Sequence, residues 1–324
     1  MLSRLSIYCL LIVCFTGVTT SAAEKVAMAS GTKSFQLGHE KRSWQTVMHV
    51  PQKLSYHKEK PVVVLALHGA GGSGQIMLDQ NGWKQQAEQG GFIAVAPNGL
   101  PAIPEQRVEF LTNPRLWNSG QLPAQSARAQ YDDIQFIQKL IESVHQQLAV
   151  KECLWFVTGH SNGAGLTFKL AVEIPDQWQA IAPVAGPLAV TANQLPHPIP
   201  TLYILGTLDP LQPLKGGEVL IPWGKMVTTP VDQIVTYWCD ANGCQAIPKQ
   251  KLDNQATFEQ FFGNDANDII RTVYIKGHGH RWPGGIHGQI PVLFQHFVGP
   301  VKNDFNATKE IWAFFESQLE GTEK

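Results

Sequence analysis

The sequence predicts an α/β fold: a mostly parallel central sheet with helices on both faces, contained in one domain. Three observations predict it. Short runs that are apolar on both faces recur at 61–67, 92–96, 154–158, 180–184, 201–205 and 269–275, as expected of strands buried inside a parallel sheet. Amphipathic, helix-compatible segments separate several of these runs. Four of the runs open directly into a turn or glycine-rich loop, at 68–74, 159–165, 206–210 and 277–285. Such a sheet collects its chemistry-bearing residues at the carboxyl ends of its strands.

The first 23 residues read as a removable secretory leader. Arg4 supplies the positive charge, Leu5 to Phe15 is mostly apolar, and Ser21-Ala22-Ala23 gives small residues at a cleavage point. The apolar run is about half of the ~20 residues that span a bilayer, so no membrane anchor is expected after leader removal, and the product is expected outside the cytoplasm. Residues 24–324 form the expected domain. Arg4 is the only charged leader residue, so the remainder carries 24 basic against 26 acidic residues, a formal charge of −2. That balance offers no electrostatic case for nucleic acid.

Cys9 and Cys14 leave with the leader, and Cys153, Cys239 and Cys244 remain. Cys239 and Cys244 flank a turn-like Asp240-Ala241-Asn242-Gly243. In an oxidising compartment they suit a small disulfide, with two free thiols near a helix end as the alternative. Cys153 opens a strand and is expected to be a buried, unreactive thiol.

Residues 24–60 are polar apart from an alternating piece, Trp44 to Val50, and are expected to supply one or two antiparallel edge strands. Pro61 to Leu67 then forms a central strand and runs into His68-Gly69-Ala70-Gly71-Gly72-Ser73-Gly74. This loop lacks the lysine of a phosphate-binding loop and the spacing of a dinucleotide fingerprint. A donor to an oxyanion is the better reading, through the amide of Ala70 paired with that of Asn162, and His68 is expected to shape the loop. A helix from Asp79 to Gln89 is expected to stop at Gly90-Gly91. A proline-rich irregular stretch, Pro97 to Ala127, follows the next strand, and a loop this long in a compact domain is usually functional or disordered. Its Trp117 lines a cleft or plugs the loop onto the core. Tyr131-Asp132-Asp133 opens a helix with Ile134, Ile137, Leu140, Ile141, Val144 and Leu148 on one face, the two aspartates serving as cap and dipole partner.

Leu154 to Thr158 leads into Gly159-His160-Ser161-Asn162-Gly163 and then a helical run. Strand, sharp turn and helix are the context that makes Gly-x-Ser-x-Gly a nucleophile elbow, with glycines where side chains would clash. Asp209 stands just beyond the strand 201–205, and His278 and His280 just beyond 269–275. The order Ser161, Asp209, histidine matches nucleophile, acid and base of the α/β-hydrolase fold. His278-x-His280 lacks a third ligand nearby, so no metal is expected. Thr308 to Leu319 closes the chain as an amphipathic helix, with Asn306 read as its N-cap rather than a glycosylation acceptor.

The segments His68-Gly-Ala-Gly-Gly-Ser-Gly, Gly159-His-Ser-Asn-Gly-Ala-Gly, Gly206-Thr-Leu-Asp-Pro and Gly277-His-Gly-His-Arg-Trp-Pro-Gly together resemble the secreted poly(3-hydroxybutyrate) depolymerase and feruloyl esterase group, carbohydrate esterase family 1. The likeness runs from about Trp44 to the end. The resemblance implies His280 as the base, with His278 replacing a usual glycine and Arg281 a usual small polar residue. It implies a serine esterase needing no metal or organic cofactor, acting on feruloyl or acetyl esters of polysaccharide or on short hydroxyalkanoate esters. A serine peptidase of the same fold and a non-catalytic binding protein on a hydrolase scaffold are the rival readings. Trp117, Trp223 and Trp282 are candidates for an aromatic substrate wall, with core packing as the alternative.

Overall fold

The computed structural model describes residues 29–40, 42–221, 224–264, 268–286 and 292–320. The expected leader, with Cys9 and Cys14, and Trp223 lie outside the described residues.

The main sheet contains β1 (Gly31–His39), β2 (Arg42–Val50), β3 (Lys60–Leu67), β4 (Ile93–Pro97), β5 (Leu154–His160), β6 (Trp178–Val184), β7 (Thr201–Gly206), β8 (Gln250–Asp253), β9 (Thr257–Gly263) and β10 (Asp268–Ile275). Their order across the sheet is β1-β2-β4-β3-β5-β6-β7-β10-β9-β8. Neighbours from β4 through β10 are parallel, and the flanking pairs are antiparallel. Register sets the function-bearing edge. Leu67 lies opposite Gly159, His160 opposite Val184, and Gly206 opposite Ile275. The loops after β3, β5, β6, β7 and β10 therefore emerge side by side.

The helices are α1 (Gly74–Asp79), α2 (Trp83–Gly90), α3 (Asp133–Leu148), α4 (Asn162–Glu173), α5 (Val231–Ala241), α6 (Val292–Val298) and α7 (Ala307–Glu320). Alternate residues of the central strands feed two cores. Leu65 and Val157 face Phe136, Ile137, Phe168 and Trp238 of α3, α4 and α5. Val64 and Phe156 face Trp83, Trp312 and Phe315 of α2 and α7. Burial on both faces is why these strands read as unbroken apolar runs. No helix among the described residues is long and apolar enough to cross a membrane.

Local chemistry explains where the expected elements shift. The helix expected over 79–89 starts only at Trp83, because Gly82 takes a left-handed conformation (φ 81°) as the cap of α2, and a separate helix, α1, capped by Ser73, precedes it. The polar stretch 245–268 holds the edge hairpin β8–β9, whose β8 is exposed throughout, so no apolar pattern marks it. Asp132 caps α3, accepting from the Gln135 amide at 3.0 Å. Asp133 does more than face the helix dipole. Its buried carboxylate takes Arg128 Nη2 on both oxygens at 2.6 Å. Asn306 accepts from the Lys309 amide at 3.0 Å, the N-cap geometry expected of it.

The long stretch after β4 is an ordered arm. Leu100–Pro101 pairs with Arg115–Leu116, and the Asn113 side chain closes it from within, accepting from Ile103 N (2.6 Å) and donating to Arg107 O (2.9 Å).

Candidate active site

β5 and α4 meet at Ser161 through a turn only small neighbours allow. Ser161 sits at φ 54°, ψ −118°, a strained conformation for a residue with a side chain. A Cβ on Gly159 would lie 2.3 Å from the Gly163 carbonyl oxygen, and one on Gly163 would lie 2.5 Å from those of Leu67 and His68. The hydroxyl makes no capping bond to α4. Instead Ser161 Oγ lies 2.7 Å from His280 Nε2.

His280 is held from behind. Its backbone N–H donates to Val298 O at 2.6 Å, and His160 Nε2 donates to its carbonyl at 2.6 Å. On the other edge of its ring, Nδ1 lies 2.9 and 2.8 Å from the two carboxylate oxygens of Asp209. Asp209 Oδ1 also accepts from the amides of Leu211 (2.8 Å) and Gln212 (2.9 Å), so the Asp-Pro turn and the carboxylate's contact with the imidazole are one piece of geometry. Burial pushes Asp209 toward protonation, but the His280 ring and the two amides outweigh it, and its pKa lies below the ordinary carboxylate value. The carboxylate is ionised and accepts from Nδ1–H, leaving Nε2 as the acceptor facing Ser161.

The structure separates the two histidines of the last loop. His278 is buried, donates through Nε2 to Arg281 O at 2.9 Å, and accepts at Nδ1 from Lys302 N at 3.0 Å. Burial lowers its pKa and keeps it neutral. It ties the 278–281 turn to residue 302. His68 plays the loop-shaping part expected of it. Nδ1 donates to Gly69 O (2.7 Å), Nε2 accepts from Gly99 N (2.9 Å), and complete burial pushes its pKa down to about 4.

The loop after β3 lies against the serine: a Cβ on Gly69 would sit 3.2 Å from Ser161 Cβ. Ala70 follows, in a turn closed by Gly72 N donating to Gly69 O (2.9 Å) and anchored by Gly71 N donating to Arg115 O (2.9 Å). On the opposite side the amide of Asn162 is in the first turn of α4, where helix geometry provides no acceptor. The two amides expected to pair thus belong to segments that flank Ser161.

Two expected substrate contacts are corrected. Trp117 is fully buried, donates through Nε1 to His68 O at 2.9 Å and stacks on Trp44. Trp282 is buried against Trp83 and His160, and its Nε1 donates to Thr308 Oγ1 at 2.9 Å. Each indole places its apolar body in the core and satisfies its N–H internally, so neither presents a face to a ligand. The disulfide expected between Cys239 and Cys244 is likewise not formed: both are free, buried thiols. Donation from Cys239 holds the Cys244 thiol below its ordinary pKa and raises that of Cys239. Cys153 is also free, its pKa pushed up to about 12 by burial, which matches an inert thiol.

One feature escapes sequence reading. The Asn162 side chain clasps the Trp117 backbone, Oδ1 accepting from Trp117 N (2.6 Å) and Nδ2 donating to Trp117 O (3.1 Å). Asn118 N donates to Asp133 Oδ2 at 2.5 Å, and Arg128 Nε donates to Leu116 O at 2.9 Å. The arm is therefore fastened to the elbow by residues whose sequence context reads as helix caps and loop. Among the described residues no group of three or more His, Cys, Asp or Glu side chains is arranged to hold a metal.

The model of the Esterase family, described as "Putative esterase", matches residues 39–257, spanning all of this site except His280 and its loop. The chain belongs to the Esterase family. It is a carboxylic ester hydrolase, and the resemblance to the feruloyl esterase group within the α/β-hydrolases is borne out. Feruloyl esterase C of Emericella nidulans is 30% identical over 181 residues, 54% of this chain and 58% of that relative. The "Putative esterase NocK" of Nocardia uniformis is 24% identical over 85% of this chain and 77% of its own. The esterase shares its fold with the acetyl xylan esterase of Aspergillus awamori, at a TM-score of 0.56 and 15% identity, covering 88% of this chain and 99% of that one.

Proposed function

We propose that this esterase is secreted and works through an acyl-enzyme on Ser161. The observation that carries the reading is the unbroken chain from Ser161 Oγ to His280 Nε2 (2.7 Å) and from His280 Nδ1 to Asp209 (2.8 Å). His280 takes the hydroxyl proton as Ser161 attacks the ester carbonyl, and Asp209 holds the ring and supports its charged form. The amides of Ala70 and Asn162 receive the oxyanion, each contributing about 3 kcal/mol to the transition state. His280 then protonates the leaving alcohol. Water, activated by the same ring, cleaves the acyl-enzyme. The substrates are feruloyl or acetyl esters of polysaccharide, or short hydroxyalkanoate esters. Feruloyl esterase C as a sequence relative supports the first of these. Residues 1–23 act as the leader.

Labelling with a fluorophosphonate tests the mechanism. The esterase should label, and Ser161→Ala and His280→Ala should not. An unlabelled wild-type protein refutes it, and faster turnover of peptide p-nitroanilides than of p-nitrophenyl esters would move the reading to a peptidase. Turnover of methyl ferulate, acetylated xylan and hydroxybutyrate oligomers then ranks the substrate classes. An N-terminus at Glu24 in the exported protein tests the leader.

A further inference from the structure

A cavity of about 410 Å³ lies between the turn joining α1 to α2, the start of α7 and the continuation of the loop that carries His280. Its walls are tied together. Ile286 N donates to Gln80 O at 2.7 Å, and Thr308 Oγ1 accepts from Trp282 Nε1 at 2.9 Å while donating to Asn81 O. Two of the lining side chains, Asn81 and Gln86, are each only 8% exposed. Asn81 Nδ2 donates to Met77 Sδ at 3.2 Å, a weak acceptor, and its Oδ1 has no partner among the described residues. Neither polar atom of the Gln86 carboxamide has one. None of these three atoms is sealed inside the protein as Trp83 Nε1 and Arg128 Nη1 are, so the accessible part of each amide opens onto the cavity. An amide held this deeply and left unpaired costs stability, and a ligand that bonds to it offsets that cost.

The lining selects the ligand class. Lys84 and Lys309 are matched by Asp79 and Glu88, so neither an anion nor a cation is favoured. A carboxamide both donates and accepts, as a hydroxyl does. Leu78 and the exposed Ile286 add an apolar surface beside the amides. Such a wall suits a ring with hydroxyls on its edge and C–H groups on its face. The volume lies within the roughly 300–1,000 Å³ of small-ligand sites.

We propose that this cavity is a saccharide site, which holds a neutral sugar unit of the polysaccharide carrying the ester, away from the bond that is cleaved. Of the substrate classes above, it favours polysaccharide esters over hydroxyalkanoates. That link to catalysis rests on the serine-esterase reading; sugar binding at the cavity does not. Gly284 and Ile286 continue the loop of His280, and Trp282, bonded to Thr308 on the cavity wall, packs against His160 beside the serine.

Titration of the enzyme with xylotetraose and with cellotetraose, followed by calorimetry, tests the site. The wild type should bind at least one of them. Gln86→Leu keeps the bulk of the side chain, removes its hydrogen bonds, and should weaken binding about tenfold. Asn81→Ala should weaken it to a similar degree. Gln86→Leu should not lower the urea unfolding midpoint, since it replaces an unpaired amide with an apolar group. The ratio of kcat/KM on acetylated xylan to that on p-nitrophenyl acetate should fall by a comparable factor in Gln86→Leu, through KM. No binding of either sugar by the wild type at millimolar concentration, or binding that both variants leave unchanged, overturns the proposal. Binding lost in the variants with an unchanged kcat/KM ratio overturns the link to the substrate and leaves the site standing. Sugar binding by a protein that a fluorophosphonate does not label leaves the site standing and refutes the serine mechanism.

Discussion

Asn162 holds the backbone of Trp117 by both its N–H and its C=O, at 2.6 and 3.1 Å. The residue next to Ser161 thus fastens the long arm after β4 to the turn that presents the Ser161 hydroxyl.

Replacing Asn162 with Ala leaves two buried backbone groups without partners. The expected cost is about 3 kcal/mol in stability. The fluorophosphonate labelling rate should fall as well, because Asn162 belongs to the turn that presents the Ser161 hydroxyl. Urea unfolding and labelling kinetics measure the two effects separately, and a stable variant with unchanged labelling would contradict the clasp.

Asp209→Asn keeps an oxygen for the Leu211 and Gln212 amides but turns an N–H toward His280 Nδ1. The ring is then forced into the tautomer that cannot accept from Ser161. Ester turnover should drop on the order of 10³–10⁴-fold, mostly in kcat, while the unfolding midpoint changes little.

The Gly163→Ala substitution adds a Cβ that would meet backbone oxygens of Leu67 and His68 at 2.5 Å. Neither is the tip of a flexible side chain, so the β3 end or the elbow must move. A loss of at least about 3 kcal/mol, or failure to fold, is expected in chemical denaturation. Little change in stability would mean that the turn is less crowded than the geometry states.

Acid should destabilise the fold through His68, whose pKa is pushed from the usual 6.5 down to about 4 by burial. The unfolded chain takes up this proton below pH 6.5, whereas the folded chain resists until about pH 4. The contribution is therefore complete above 6.5 and is lost as pH falls toward 4, amounting to about 3 kcal/mol. The difference between wild type and His68→Gln in unfolding free energy, followed between these limits, isolates it. A pH-independent difference would show that the buried imidazole does not titrate as described.

Mild oxidation should join Cys239 and Cys244, which are brought together across a turn closed by Cys244 N donating to Cys239 O at 2.9 Å. The closed loop is short, so the gain is about 2 kcal/mol. Thiol titration should lose two groups and retain Cys153, and the oxidised form should unfold at higher urea. Loss of all thiols through intermolecular linkage would contradict this pairing.

The central strands and the elbow were legible because burial on both faces leaves unbroken apolar runs, and because a strained turn admits few residue types. The order Ser161, Asp209, histidine was legible for the same reason: each follows a strand that ends at one edge, while the choice of His280 over His278 rested on the family resemblance. The edge hairpin β8–β9 was not, since its first strand is exposed and carries no apolar signal. The helix start at Trp83 was missed because residues 79–82 are polar and carry no periodic signal that sets them apart from the helix after them.

Local sequence determined the α/β architecture and pointed to Ser161, Asp209 and a histidine of the last loop, because strand periodicity and turn chemistry are set by neighbours in the chain, and the family resemblance chose His280 over His278. Only tertiary structure decided the rest. It turned Trp117 and Trp282 inward, where their indole N–H groups find the His68 carbonyl and the Thr308 hydroxyl. It spent Asp133 on Arg128. Whether a polar or aromatic group faces core or substrate depends on partners far along the chain, and no local pattern encodes which of them it will meet.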